Sequence, residues 1–290
     1  MDTEATREST TGSKLDAQRI SEFVKNTNWY HTIDLGSGLK SSGLYDHNSL
    51  LAKYGFPESL SGKTVLDVGS SDGFFSFEFE RRGGQVTAVD NNPYDGNVTT
   101  DVSPAKIDSY QDKYKNFNQK NAAYSDVYRS LGVPVGHQLL AAIALKKSKV
   151  QHQKLNIYDL HTLGKKYDFV FCGDLVEHLK NPLEALENLA SVTKGQCILA
   201  HSNEKRLGRY NRSMYQVLRK ALRLPVIDPS HGVEYVGNKS GGAFFYFYPE
   251  TLKNALLASG FKKVEIYSQF ELFNRRHGID VFHTVYHCSM

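Results

Sequence analysis

Apolar and polar positions along this chain fall into blocks that switch between a strand rhythm and a helical one. Residues 64–68 (TVLDV) are a short, mostly apolar run of strand type, followed by small turn formers at 69–73 (GSSDG). Residues 74–82 then set bulky apolar side chains among acids and bases, and 85–89 (QVTAV) is β-like again. The stretch 62–90 therefore reads as strand, tight turn, helix, strand. The alternation continues with a strand at 150–157, and 167–172 (YDFVFC) has the unbroken apolar character of a central strand covered on both faces. Asn181-Pro182 opens a helix with Leu183, Leu186 and Leu189 on one face, and 195–200 returns to strand. A helix from Pro249 stops at Gly260, and 261–269 and 279–287 form a closing antiparallel pair. This order predicts an α/β, doubly wound, seven-stranded and mostly parallel sheet with one antiparallel strand, flanked by helices.

Three stretches depart from the rhythm. Residues 1–14 are polar and rich in Thr and Ser, the composition of a disordered tail, and 15–26 carry Leu15, Ile20, Phe23 and Val24 at amphipathic-helix spacing. The aromatic cluster WYHTIDL at 29–35 follows. It reads either as a latch packing the helix onto the core or as a flap over the crevice with Tyr30 and His31 facing the substrate. Residues 91–150 replace the expected second helix with a turn cluster, a tyrosine-rich polar segment and the apolar helix HQLLAAIAL. There Lys106, Lys113, Lys115, Lys120, Arg129, Lys146, Lys147 and Lys149 outnumber Asp108, Asp112 and Asp126, giving a solvated helical face or an RNA surface. Residues 201–242 hold a basic amphipathic helix: Lys205, Arg206, Arg209, Arg212, Arg219, Lys220 and Arg223 surround Met214, Val217, Leu218, Ala221 and Leu222. A substrate lid, a peripheral membrane contact through 205–224 and an RNA contact all fit that pattern.

Composition narrows the classes. At 290 residues, 40% apolar and 23% charged, the chain can bury one good core with insertions. A net charge of +4 is too slight to imply nucleic acid unless the bases cluster. Cys172, Cys197 and Cys288 are widely spaced, and two lie in strands, which suits reduced core thiols better than disulfides or a zinc site. No apolar run reaches membrane-spanning length and the first residues lack a signal-peptide core, so the default expectation is a cytoplasmic protein.

The candidate chemistry sits at the first turn. Gly69 and Gly73 let the backbone bend sharply, and Asp90 ends the second strand where a carboxylate can take both hydroxyls of a ribose. Gly69-x-x-x-Gly73 is not the dinucleotide pattern Gly-x-Gly-x-x-Gly, which favours a nucleoside without a phosphate. VLDVGSSDG followed by VTAVD resembles the first two motifs of class I S-adenosylmethionine-dependent methyltransferases, with Asp67, Asp72 and Asp90 at the matching offsets. The resemblance implies S-adenosylmethionine as cofactor, bound by Asp67, Gly69, Ser70, Ser71, Asp72, Gly73, Phe74, Asp90 and Asn91 and, after the fourth strand, by Gly173 and Asp174. It also implies that Asp159 accepts a hydrogen bond from the adenine amino group between Tyr158 and Leu160, although an Asp there also suits a helix cap. WYHTIDL, YDH and GFPESLSGKTVLDVG further resemble a subgroup related to tRNA wobble-uridine modifying methyltransferases, in which such an N-terminal segment lies near the cofactor. That adds Trp29 and Tyr30 to the cofactor candidates and makes one methyltransferase domain of 15–290, with an N-terminal flap at 15–45 and insertions at 91–150 and 201–242.

An acceptor hydroxyl or protonated nitrogen needs a base, and imidazole titrates nearest neutrality. His178 and His31 are the nominees, with Glu177 as a further catalytic candidate; a purely structural His178 is the competing reading. No third carboxylate stands at a convincing offset, so no dedicated metal site is expected. The wobble-uridine proteins use a carboxylated cofactor and carry Tyr where this chain has Glu177, whose charge would repel the extra carboxylate. The resemblance also implies a large N-terminal extension in those proteins, which is not expected as part of this domain. The expectation is methyl transfer to an O or N atom of a small-molecule acceptor, with a tRNA wobble uridine as the alternative.

Overall fold

The computed structural model describes residues 17–91, 119–203, 213–223, 232–237 and 243–290. The expected tail, the bases at 106–115 and those at 205–212 lie outside these residues. Seven strands make the central sheet: β1 (Thr64–Val68), β2 (Gln85–Asp90), β3 (Gln151–Lys154), β4 (Tyr167–Gly173), β5 (Thr193–Asn203), β6 (Lys263–Asn274) and β7 (Ile279–Ser289). Their order is 3-2-1-4-5-7-6, with β7 antiparallel to both neighbours and every other pairing among β1 to β5 parallel. The expected sheet is present in full.

Side-chain alternation divides β4 between two cores. Phe169 and Phe171 enter one hydrophobic cluster while Val170 and Cys172 enter the other, as a two-residue period requires of a strand buried on both faces. The first cluster is aromatic. Phe171 meets Phe75 at 4.5 Å, Phe56 at 5.3 Å and Phe79 at 5.5 Å between ring centroids. These rings come from the helix Phe74–Arg81 and from the segment before β1, so the N-terminal part is core material. The second cluster is aliphatic and is closed by the helices Pro182–Val192 and Pro249–Ala258. Ala185, Leu186, Leu189 and Ala190 face inward, whereas Leu183, expected with them, is exposed in the first turn. All three cysteines are buried free thiols, as their positions in apolar strands imply.

The helix Ala17–Asn26 seats Phe23 and Val24 in the aromatic core against Tyr124 and Tyr128 of the first insertion. The apolar helix of that insertion is present at Gln138–Lys146. β3 is shorter than expected: only Gln151–Lys154 pair with β2, and Asn156 begins a 3-10 turn by accepting a hydrogen bond from the Tyr158 N–H (3.1 Å). β5 is longer, running through His201 and Ser202 because β7 pairs with that extension. The second interruption therefore starts after the strand, and of it the helix Ser213–Ala221 and a hairpin of Val233–Tyr235 with Phe245–Phe247 are described.

Candidate active site

β1 leaves the sheet through a turn with positive φ at Gly69 (77°), Ser71 (52°) and Gly73 (91°). At Gly73 a Cβ would sit 2.5 Å from Leu139 Cδ1, so close packing as well as backbone conformation requires glycine. The turn satisfies its own amides. Gly69 and Ser70 N–H donate to the Val89 carbonyl (2.9 and 3.2 Å), and Gly73 N–H donates to the Ser70 carbonyl (2.8 Å). Ser71 N–H donates to Asp90 Oδ2 (2.7 Å), which locks the end of β2 onto the turn after β1. With those amides engaged, the turn offers little to a phosphate. Burial pushes the Asp90 carboxyl up to about 6 despite that bond, so further donated hydrogen bonds would relieve it. Asp67 is fully buried, takes the Ser76 hydroxyl and is pushed up to about 7 by burial, which makes it a strut beneath the turn.

The N-terminal segment docks on this turn through Asp72. Its Oδ2 accepts from the backbone N–H of Tyr30 (2.7 Å) and His31 (2.9 Å), and its Oδ1 meets His31 Nδ1. Asp72 is thus an anchor for the segment, and its carboxylate is spent there rather than on a ligand. The His31 ring is buried among Phe74, Phe75 and His47. Trp29 is packed against Phe23 and donates its indole N–H to the Val24 carbonyl (3.0 Å), which is the latch arrangement. Tyr30 alone of the three is substantially exposed, at 38%, beside Tyr45. From the far end of the chain, Arg275 reaches Thr32, Gly43 and Asp46, and Asn274 Nδ2 donates to the Tyr45 hydroxyl (2.6 Å). The segment is clamped from both sides.

Beyond β4, Gly173 is followed by Asp174 at φ 48°, a second non-glycine residue in the left-handed region beside the same crevice. Asp174 Oδ2 accepts from His283 Nε2 (3.1 Å), while Oδ1 is buried without a partner among the described residues. Ser70 Oγ is likewise buried and unpartnered. Two orphaned polar atoms on the loops that follow β1 and β4 are what a site shaped for a polar ligand leaves behind. The residues present therefore fit a nucleoside-bearing methyl donor: a buried carboxylate at Asp90 that can accept further hydrogen bonds, the Gly69–Gly73 turn tied to it, and an unpartnered hydroxyl at Ser70.

Other expected residues fall elsewhere. Glu177 is 1% exposed and is held by His201 Nδ1 (3.2 Å) and the Ser202 hydroxyl. Burial opposes its ionisation, but His201, with His178 and Ser202 near it, outweighs that and holds the carboxyl below its ordinary 4.5. His201 Nε2 accepts from the Phe247 N–H (3.3 Å), so it is Nδ1 that donates to Glu177, which is a buried structural carboxylate rather than an available base. His178 is half-buried in the 3-10 turn Val176–His178, its backbone N–H bonded to the Leu175 carbonyl (3.0 Å). Leu160 packs in the aliphatic core, Asp159 is exposed within the 3-10 turn Ile157–Leu163, and the Tyr158 hydroxyl accepts from Asn181 N–H (3.1 Å). Asn91 follows Asp90 at the edge of the described residues. Sequence reasoning missed His201 and His283. Each is one histidine in an alternating strand, and only the pairing of β5 with β7 brings them to carboxylates after β4.

No helix among the described residues is long and apolar enough to cross a membrane. Residues 46–266 match the family model described as a methyltransferase domain. Two curated tRNA U34 carboxymethyltransferases, both from Campylobacter jejuni (strain RM1221 and serotype O:6), are 22% identical over 73% of this chain. The chain spans about half the length of those relatives, 53%. The N-terminal domain of EvdMO1, crystallised with SAH bound, is 16% identical, covers 94% of each chain and superposes with a TM-score of 0.52. A core of sheet order 3-2-1-4-5-7-6, a glycine-cornered turn tied to the carboxylate ending β2, and a family match over 46–266 agree: this chain belongs to the methyltransferase domain family, with the fold of the class I S-adenosylmethionine-dependent enzymes.

Proposed function

We propose that this chain transfers a methyl group from S-adenosylmethionine to an oxygen or nitrogen of a small-molecule acceptor. The observation that carries the reading is the turn after β1 tied to Asp90, with its amides engaged and a buried unpartnered hydroxyl at Ser70. The bound cofactor supplies an electrophilic methyl on a sulfonium. The chain's own part is positioning: Asp90 and the turn hold the nucleoside end, and the loop after β4 orients the acceptor against the methyl.

Enclosure supports a small acceptor. Phe244 N–H donates to the Glu177 carbonyl (2.7 Å), which seats the aromatic run 244–248 against the loop after β4. Phe244, Tyr246 and Phe247 are buried there, so this side of the site is a packed apolar wall, not an open groove. Tyr30 is exposed beside Tyr45 and is available to an incoming substrate. The alternative, a tRNA wobble uridine, is favoured by the likeness to the tRNA U34 carboxymethyltransferases. Incubation with radiolabelled S-adenosylmethionine and host extract separates the two: label in small metabolites supports the first reading, and label in RNA supports the second. Binding to bulk tRNA that weakens steeply with salt would accompany the second, because phosphate contacts release counterions.

A further inference from the structure

Asp174 reaches sideways. Its backbone N–H donates to the Ala200 carbonyl of β5 (3.0 Å), and its side chain crosses the end of that strand to His283 of β7, which pairs in register with Ser202. The carboxylate therefore lies over β5, away from the turn after β1 that would hold the nucleoside. Its Oδ1 has no partner among the described residues and is left for a ligand at the carboxyl end of the sheet.

His283 is built to hold this carboxylate. Nδ1 faces the Val281 carbonyl (2.9 Å) and Nε2 faces Asp174 Oδ2 (3.1 Å). Both partners are acceptors, so both ring nitrogens must carry protons. The ring lies parallel to Phe270 at 5.3 Å, an arrangement that favours a cation. Burial pulls the imidazole down, but Asp174, the Val281 carbonyl and the more distant Glu177 raise it above its ordinary 6.5. Tyr45, Tyr54 and Cys172, the other titratable groups near Asp174, are raised by burial and keep their protons, while His47, near His283, is held low by its own burial and bonds Tyr54.

We propose that Asp174 is the group that binds the acceptor's hydroxyl or N–H through Oδ1, and that His283 is its positioning residue. The proposal rests on the methyl-transfer reading and gives it a base. As the acceptor lone pair forms its bond to the methyl carbon, the carbon–sulfur pair stays on sulfur. The acceptor's proton passes to Asp174 Oδ1 and is released to water with the product. His283 keeps Oδ2 engaged throughout, so that Oδ1 remains turned to the acceptor.

The test compares full-length wild type, His283→Leu and His283→Gln, whose amide can still donate to Asp174. SAH affinity is measured by titration calorimetry, and label transfer from S-adenosylmethionine into host-extract metabolites is measured between pH 6 and 9. The expected result is SAH affinity within twofold in all three, transfer reduced at least tenfold in His283→Leu, and substantial recovery in His283→Gln. In wild type the rate should fall as pH rises through the raised imidazole value, when the ion pair is lost, and this fall should be absent in His283→Gln. A His283→Leu variant as active as wild type overturns the positioning role while leaving methyl transfer intact. A parallel loss of SAH affinity and rate overturns it too, since the pair would then serve the cofactor or the fold. Wild type that transfers no label defeats the underlying reading itself.

Discussion

Asp72 is the best place to test how the N-terminal segment is held. Replacement by Ala removes the acceptor of two backbone N–H groups, Tyr30 at 2.7 Å and His31 at 2.9 Å, and the partner of the His31 ring. A hydrogen bond to a charged group contributes about 1.5–3 kcal/mol, and a buried donor left without one costs about 1–3 kcal/mol. Tyr30 is open enough for water to replace part of the loss, whereas His31 and Asp72 are buried. The bonds share one carboxylate and do not add fully, so about 3 kcal/mol is expected for Asp72→Ala. Asp72→Asn keeps an acceptor oxygen for the amides and should lose roughly half as much. Urea unfolding reads the total. Hydrogen exchange reads its location: about 3 kcal/mol is roughly a 150-fold loss of protection, expected at residues 30–33 and 45 rather than in β1. An Asp72→Ala protein within ~0.5 kcal/mol of wild type, with unchanged protection at Tyr30 and His31, would refute the anchor.

Three other expectations concern the same turn and its supports. Gly73→Ala places a Cβ 2.5 Å from Leu139 Cδ1 at a φ of 91°, and should lose roughly 1–3 kcal/mol by urea unfolding; wild-type stability would contradict the packing account. Asp67 keeps its proton up to about 7 in the folded state, whereas its ordinary value is 3.8. The unfolded chain ionises first, so stability should fall by ~4 kcal/mol as pH rises across that window, and the slope should flatten in Asp67→Asn. Glu177 shows the opposite sign: with its carboxyl held below 4.5, its contribution is present above that pH and disappears as pH falls below it. Glu177→Gln replaces the charged acceptor of the His201 Nδ1–H and the Ser202 hydroxyl with a neutral one and should lose about 1.5–3 kcal/mol at neutral pH while softening the acid limb of the stability curve. An acid limb identical to that of wild type would show that the pair carries no such linkage.

The sheet was legible because its inner strands carry apolar runs bounded by turn formers, and β4 in particular could only be a central strand. The turn after β1 and Asp90 were equally legible, since their chemistry is local in the chain. What escaped was set by distance in sequence. Glu177 looked available next to His178, yet its partner His201 is 24 positions away on a strand extension that exists only because β7 pairs with it. Asp72 looked like a ligand for the cofactor because nothing local showed that Tyr30 and His31, some 40 positions earlier, would claim it. The edge strand β3 came out short for a different reason. Beyond Lys154 the Leu155 N–H donates to the Asp90 carbonyl (3.1 Å) and the chain turns at Asn156, so Ile157 enters the aliphatic core from the 3-10 turn rather than from the strand.

The central claim is that the turn tied to Asp90 receives the nucleoside of the methyl donor. Titration calorimetry with SAH on wild type and Asp90→Ala tests it without knowledge of the acceptor. The expected outcome is binding by wild type that weakens as pH falls through about 6, where Asp90 takes up a proton, and a loss of ~1.5–3 kcal/mol, roughly 10- to 150-fold, in the variant. No binding of SAH by the wild-type protein, or equal affinity in Asp90→Ala, would contradict it.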